Sequence, residues 1–398
     1  MIKKENLKQQ FIYQIFVRNY SKEHNFAAIT NDLNRIQELG TDIVYLMPIF
    51  EIGIINRKGK YGSPYSIKNY YKIDPFLGNL DDLKELIKHI HNRNMTIILD
   101  LVLNHSSCDN EYLKDHEDYY LHKYHKLARK CADWSDVYDF DYHNLELRKE
   151  LINVCKYWLN VGFDGFRMDV ASLIPLSFWQ ELRLEIGNEP ILIAESCHTP
   201  FYKYIKKKYH VGSSDKELFE VFDCLYQYNI DEEFRLMKQK HQFTKYLKEV
   251  KNEPHIRLRY LENHDIDRIY PYYKRDIEAI WAFNCFLPGL SFIYMGSEFM
   301  APKTPNLFEF DPIRQKHDIS SLFKKLKEIK KHHLFIDGKF DYQLLKDDII
   351  LLSYKNKNER LYGLFNFSKK DYIYDNQLVT KHNYLIWENN NGSIKEYR

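Results

Sequence analysis

Three things are scarce in this 398-residue chain: net charge, paired cysteines and long apolar runs. Its 58 lysines and arginines nearly cancel 56 aspartates and glutamates, leaving a formal net charge of +2. Without a one-sided field, neither nucleic acid nor an anionic membrane is expected as a partner, and a neutral substrate suits the balance. The six cysteines, Cys108, Cys131, Cys155, Cys197, Cys224 and Cys285, form no C-x-x-C pair, which argues against a zinc ribbon or a redox motif. Scattered thiols fit a reducing compartment. The opening MIKKENLKQQ is charged, and the apolar run behind it, Phe11 to Val17, is too short for a signal-peptide core or a membrane span. A cytoplasmic protein with no membrane association is therefore expected.

No fixed-period repeat is evident, and no low-complexity linker divides the chain before about residue 330. What is present is alternation. Short apolar runs that read as buried parallel strands recur at FIYQIF (from Phe11), TDIVYLMPI (from Thr41), MTIILDLV (from Met95) and DGFRMDV (from Asp164). Four more follow: ILIAES (from Ile191), EVFDCLY (from Glu220), IRLRYLENHD (from Ile256) and LSFIYMG (from Leu290). Amphipathic helical stripes lie between them, such as Ile29, Leu33, Ile36 and Leu39, stopped by Gly40. Another stripe, Leu83, Leu86, Ile87 and Ile90, has Asn79 as its N-cap.

Eight strand-helix units predict an α/β fold of the (β/α)8 TIM-barrel type, whose reactive side chains lie at the C-terminal ends of the strands. Insertions at roughly 51 to 78 and 106 to 143 follow strands and should shape the cleft on that face. After about residue 335 alternating strands without helices, DIILLSYKN from Asp348 and RLYGLFNFS from Arg360, predict a small C-terminal all-β domain. The expected division is thus 1–334 for the barrel, with the short insertion after its third strand, and 335–398 for the β domain.

Four strands end in polar clusters that a purely apolar barrel would not need. In GFDGFRMDVA, Arg167 and Asp169 are two residues apart and project to one side of a strand. The guanidinium should favour the ionised carboxylate and lower its pKa, which suits a nucleophile. Taken alone, the pair also admits the less favoured reading of an ordinary buried ion pair. Glu195 follows the apolar run Ile191 to Ala194, where apolar walls should raise its pKa and suit it to act as a general acid. Two carboxyls in contrasting environments are what retaining glycoside hydrolysis requires. Asp265 closes the string ENHD, which alone would read as a cap or turn, and His105 closes DLVLNH from Asp100, which reads as support. His105 and His264 could be metal ligands, but neither has H-x-x-H or H-E-x-x-H spacing, so no metal is assigned.

Together these strings are similar to those of a known family. DLVLNH from Asp100, GFDGFRMDVA from Gly162, ILIAES from Ile191 and ENHD from Glu262 resemble, in order, the four conserved regions of the alpha-amylase family (glycoside hydrolase family 13). IYQIFVRNY, GSPYSIKNYYKIDPFLG from Gly62 and PGLSFIYMGSE from Pro288 extend the likeness over nearly the whole barrel. The resemblance implies that Asp169 is the nucleophile, Glu195 the general acid/base and Asp265 the residue that grips the distorted sugar. It implies that Arg167 orients the nucleophile, that His105 and His264 bond sugar hydroxyls on the non-reducing side of the cleaved bond, and that Tyr65 stacks on that ring.

Departures from the family pattern bear on binding. Ser172 and Leu173 stand where typical members have Lys-His, and Ser196-Cys197-His198 replaces a tryptophan many carry after the acid. The family's structural calcium would involve Asn104 and that missing histidine, and SKEHNF lacks the calcium loop some relatives carry near Asn19 to Phe26, so no calcium and no cofactor are expected. The implied activity is hydrolysis of α-1,4-linked gluco-oligosaccharides such as maltodextrin or glycogen fragments. A transglycosylase, isomerase or phosphorylase of the same chemistry, and a noncatalytic carbohydrate-binding barrel, are the competing readings.

Overall fold

A computed structural model describes residues 4–228, 243–346, 348–390 and 393–397. Eight parallel strands close into a barrel in the order of the chain: β1 (Phe11–Ile15), β2 (Ile43–Leu46), β3 (Thr96–Leu101), β4 (Gly165–Met168), β5 (Ile191–Ala194), β6 (Cys224–Tyr226), β7 (Arg257–Arg259) and β8 (Leu290–Tyr294). All eight expected runs are barrel strands. Every residue of them is buried, because helices cover the outer face and side chains fill the interior. Gly165 opens β4 for a steric reason: a Cβ there would meet the carbonyl oxygen of Ile191 on β5 at 2.1 Å.

The helices follow their strands: α1 (Phe26–Glu38), α2 (Leu80–His91), α3 (Leu145–Val161), α4 (Leu176–Ile186), α5 (Thr199–Tyr209), α6 (Phe243–Asn252), α7 (Ile277–Phe286) and α8 (Ser320–Lys330). Gly40, at φ +88°, ends the apolar stripe of α1 as expected. Asn79 caps α2, accepting from the backbone of Asp81 and Asp82, while Asp82 reaches back to the Asn79 N–H. Among the described residues no helix is long and apolar enough to cross a membrane.

Both expected insertions rise from the C-terminal ends of strands. The first carries an antiparallel pair, Phe50–Ile52 with Ile67–Ile73, and the second is closed at its base by His105–Ser107 pairing with Val137–Asp139. Beyond α8, five antiparallel strands, β9 (Lys339–Lys346), β10 (Ile349–Lys355), β11 (Glu359–Asn366), β12 (Asn383–Asn390) and β13 (Ser393–Tyr397), form the all-β C-terminal sheet. Tyr354 and Phe365 of that sheet pack on Phe286 of α7, with ring centroids 5.5 and 5.9 Å away.

Two strand ends lie earlier than expected. β7 stops at Arg259, leaving Asp265 six residues out in a loop, and β3 stops at Leu101, so His105 begins the short paired segment of the second insertion. The apolar pattern runs past the point where the ladder stops, because Tyr260 and Leu261 remain buried after the backbone has left the sheet.

Candidate active site

One guanidinium organises the mouth of the barrel. Arg167, on β4, is 1% exposed. Its Nη1 donates to Asp100 Oδ1 at 2.7 Å and to Asp169 Oδ1 at 2.9 Å, while Nη2 lies 2.8 Å from Glu195 Oε1. Three acidic residues from three strands are thereby brought around one planar fork, a geometry arginine offers and lysine does not. Asp100, fully buried, also accepts from the hydroxyls of Tyr45 (2.6 Å) and Tyr65 (2.8 Å).

Asp169 is the first residue beyond β4 and Glu195 the first beyond β5. Between Asp169 and the turn Ala171–Leu173 stands Val170, at φ +37°, a left-handed conformation that a β-branched residue rarely adopts. It aims the Val170 N–H at Glu195 Oε2, 2.7 Å away, so local strain is spent holding the second carboxylate. Glu195 takes a further hydrogen bond from the hydroxyl of Tyr228, at 2.8 Å.

These contacts revise the expected division of electrostatic character. Glu195 is not held against apolar walls, since Arg167, Tyr228 and the Val170 N–H all reach it. Arg167 does not leave Asp169 lowered on balance: burial, then the charge of Glu195, push its carboxyl well above the ordinary range, and the guanidinium offsets only part of this.

Asp265 reaches the same space from the opposite wall, with its side chain 40% exposed. Burial pushes its carboxyl up, but His264 beside it and Arg167 pull it further down, leaving it below the usual range. His264 Nε2 lies 3.0 Å from Asp265 Oδ2 and 2.6 Å from the Tyr65 hydroxyl, and the two rings stack at 5.3 Å and 15°. Since Tyr65 donates to Asp100, its oxygen accepts from His264, and Nε2 carries a hydrogen. On the other side His105 packs on Trp134, with ring centroids 5.2 Å apart, and burial lowers its imidazole to about 4, which keeps it neutral.

Asp169, Glu195, Asp265, Tyr65, His105 and His264 all face one cavity of about 300 Å³, with Arg167 beneath them. That is the lower end of the range for small-molecule pockets, ~300–1,000 Å³. Its far wall contains Lys58, Trp134, Asp136 and Phe308, none of which was singled out in the sequence. Lys58 bonds Asp136 Oδ1 at 3.1 Å and Asp133 O at 2.9 Å, tying the two insertions together. Tyr228 was missed too; its one signal is its place two residues past the sixth apolar run.

The oxygen that would help hold a structural calcium is engaged otherwise. Asn104 Oδ1 accepts from the ammonium of Lys130 at 2.6 Å, and a metal ion cannot share that position. Among the described residues no group of three or more His, Cys, Asp or Glu side chains could hold a metal ion.

Comparison with known proteins agrees with this geometry. The family description "Alpha amylase, catalytic domain" matches residues 18–138 and 115–333. An alpha-amylase from Lactobacillus plantarum superposes with a TM-score of 0.92 at 31% identity, covering 97% of this chain and all of that one. A maltogenic alpha-amylase from Thermotoga neapolitana gives 0.80 at 27%, covering 98% of each chain. In sequence, Alpha-amylase 3 of Dictyoglomus thermophilum is 25% identical over 379 residues, 82% of this chain and 71% of its own length. An alpha-1,4-glucan:maltose-1-phosphate maltosyltransferase of Picrophilus torridus is 29% identical over 262 residues, 56% of this chain and 40% of its own. With the match running through nearly the whole barrel and one structural relative alike from end to end, the chain belongs to the alpha-amylase family and is a glycoside hydrolase.

Proposed function

We propose that the protein hydrolyses α-1,4-linked gluco-oligosaccharides, such as maltodextrin or glycogen fragments, with retention of configuration and some transglycosylation. Asp169 attacks the anomeric carbon and forms a covalent glucosyl-enzyme, while Glu195 protonates the departing oxygen and then deprotonates the incoming water. Asp265 grips the distorted ring, Arg167 orients the nucleophile, and Tyr65, His105 and His264 hold the sugar.

The observation that carries this reading is the seating of Asp169 and Glu195 on the two terminal nitrogens of one guanidinium, which brings both carboxyls to the same cavity. A reducing, intracellular setting is proposed from the six cysteines, all of them free thiols.

Maltoheptaose incubated with the enzyme, with and without phosphate, tests the proposal by chromatography. Shorter sugars with a minor longer fraction are expected in both arms. A sugar phosphate in the phosphate arm would move the assignment to a phosphorylase, and longer sugars in excess to a transferase. An unchanged profile would overturn the substrate choice.

A further inference from the structure

Lys130 is unusual for its residue type. It sits in the second insertion with 5% of its surface exposed, where a lysine is rare unless paired. Its ammonium donates to Asn104 Oδ1 at 2.6 Å and to the carbonyl oxygen of Leu173 at 3.3 Å. Asn104 follows β3, and Leu173 lies in the turn just behind Asp169. Burial lowers the affinity of this amine for its proton, and Asp139 and Asp141 are the anionic charges that oppose the effect. Asp139 is itself fixed, accepting from Asn104 Nδ2 at 2.7 Å and from the Lys130 backbone N–H.

An amide oxygen and a main-chain carbonyl from separate segments accept from one buried positive charge, and Asp139 and Asp141 act on it through their charge. Amide and carbonyl oxygens are also among the ligand types a hard cation such as calcium takes. Here the positive charge is covalently part of the chain, so neither dilution nor a chelator can remove it.

We infer that Lys130 is a built-in cation that replaces a structural metal, clamping the second insertion to the turn behind Asp169. The clamp also reaches the sugar-binding wall, because Asn104 Nδ2 lies 3.0 Å from His105 Nδ1. Lys130 is thus a positioning residue: it touches no substrate and acts through Asn104, His105 and the Asp169 turn.

Thermal melting of the full chain, without substrate, tests this independently of what the enzyme cleaves. The wild type is expected to melt at the same temperature in EDTA and in about 1 mM calcium chloride. A drop in EDTA or a rise in calcium would overturn the inference. Lys130→Ala, which opens the oxygen set, should melt lower and turn over maltoheptaose about tenfold more slowly. Both properties should recover as calcium is added, a response that a merely space-filling side chain would not give. Wild-type behaviour of Lys130→Ala, or impairment that calcium leaves untouched, would contradict it. Should Lys130→Ala fail to fold, Lys130→Arg is expected to melt higher than Lys130→Met, since charge and not length is what the site uses; the reverse order would sink the idea.

Discussion

The Tyr228 hydroxyl donates to Glu195 Oε1 at 2.8 Å from two residues beyond β6, and so brings the sixth strand into contact with the proposed acid/base carboxyl. A buried hydrogen bond to a charged acceptor is worth about 1.5–3 kcal/mol. Tyr228→Phe, which keeps the ring packed on Tyr226 at 5.7 Å, is therefore expected to lower kcat about ten- to hundredfold with little change in melting temperature. Steady-state kinetics beside a melt would separate the two, and a variant with wild-type kcat would show that the contact is incidental.

Arg167 is expected to matter for the fold as well as for turnover. Arg167→Met would leave Asp100, Asp169 and Glu195, all nearly buried, without their shared counter-charge. Breaking a buried ion pair from one side costs about 3–5 kcal/mol. Urea unfolding should show a loss of that size, and activity should be abolished.

Replacing the proposed nucleophile should make the protein more stable in alkali. The Asp169 carboxyl is raised in the folded state by burial and by Glu195, so the folded chain holds a proton that the unfolded chain releases near the ordinary carboxyl range. This group's contribution to stability therefore falls as pH rises through that window and stays low above it. Asp169→Asn removes the penalty. It should be more stable than wild type near pH 8, with the gain shrinking towards pH 4. Turnover should fall by several orders of magnitude in the same variant.

The cavity wall sets an expectation for chain length. Lys58 joins the two insertions through Asp136 and Asp133, at the end of a cavity of about 300 Å³. Lys58→Ala should cost under about 1 kcal/mol of stability, since the lysine is one-third exposed. It should raise kcat/KM for maltoheptaose relative to maltotriose severalfold. An unchanged ratio would remove Lys58 from the determinants of specificity.

What was legible in the sequence follows from how far each feature depends on distant partners. A parallel barrel strand is buried on both faces, so its residues announce themselves locally, as Thr96–Leu101 and Ile191–Ala194 do. Arg167, Asp169 and Glu195 were readable because they stand on strands or directly behind them. Asp265 and His105 were readable as residues but not as strand ends, since buried apolar side chains continue after the ladder stops.

Protonation was not legible. The Arg167–Asp169 pair alone suggests a lowered carboxyl, and only the arrival of Glu195 and burial reverse the direction. Lys130 was equally silent, because its partners Asn104 and Leu173 lie 26 and 43 residues away and nothing nearby marks a lysine as buried.

The measurement that bears most directly on the central claim is the anomeric form of the first product. Proton NMR during the opening minutes of maltoheptaose cleavage, before mutarotation, distinguishes direct attack by Asp169 from attack by water. Direct attack through a glucosyl-enzyme predicts that the α-anomer accumulates first. Initial accumulation of the β-anomer would contradict it, and with it the assignment of Asp169 as nucleophile.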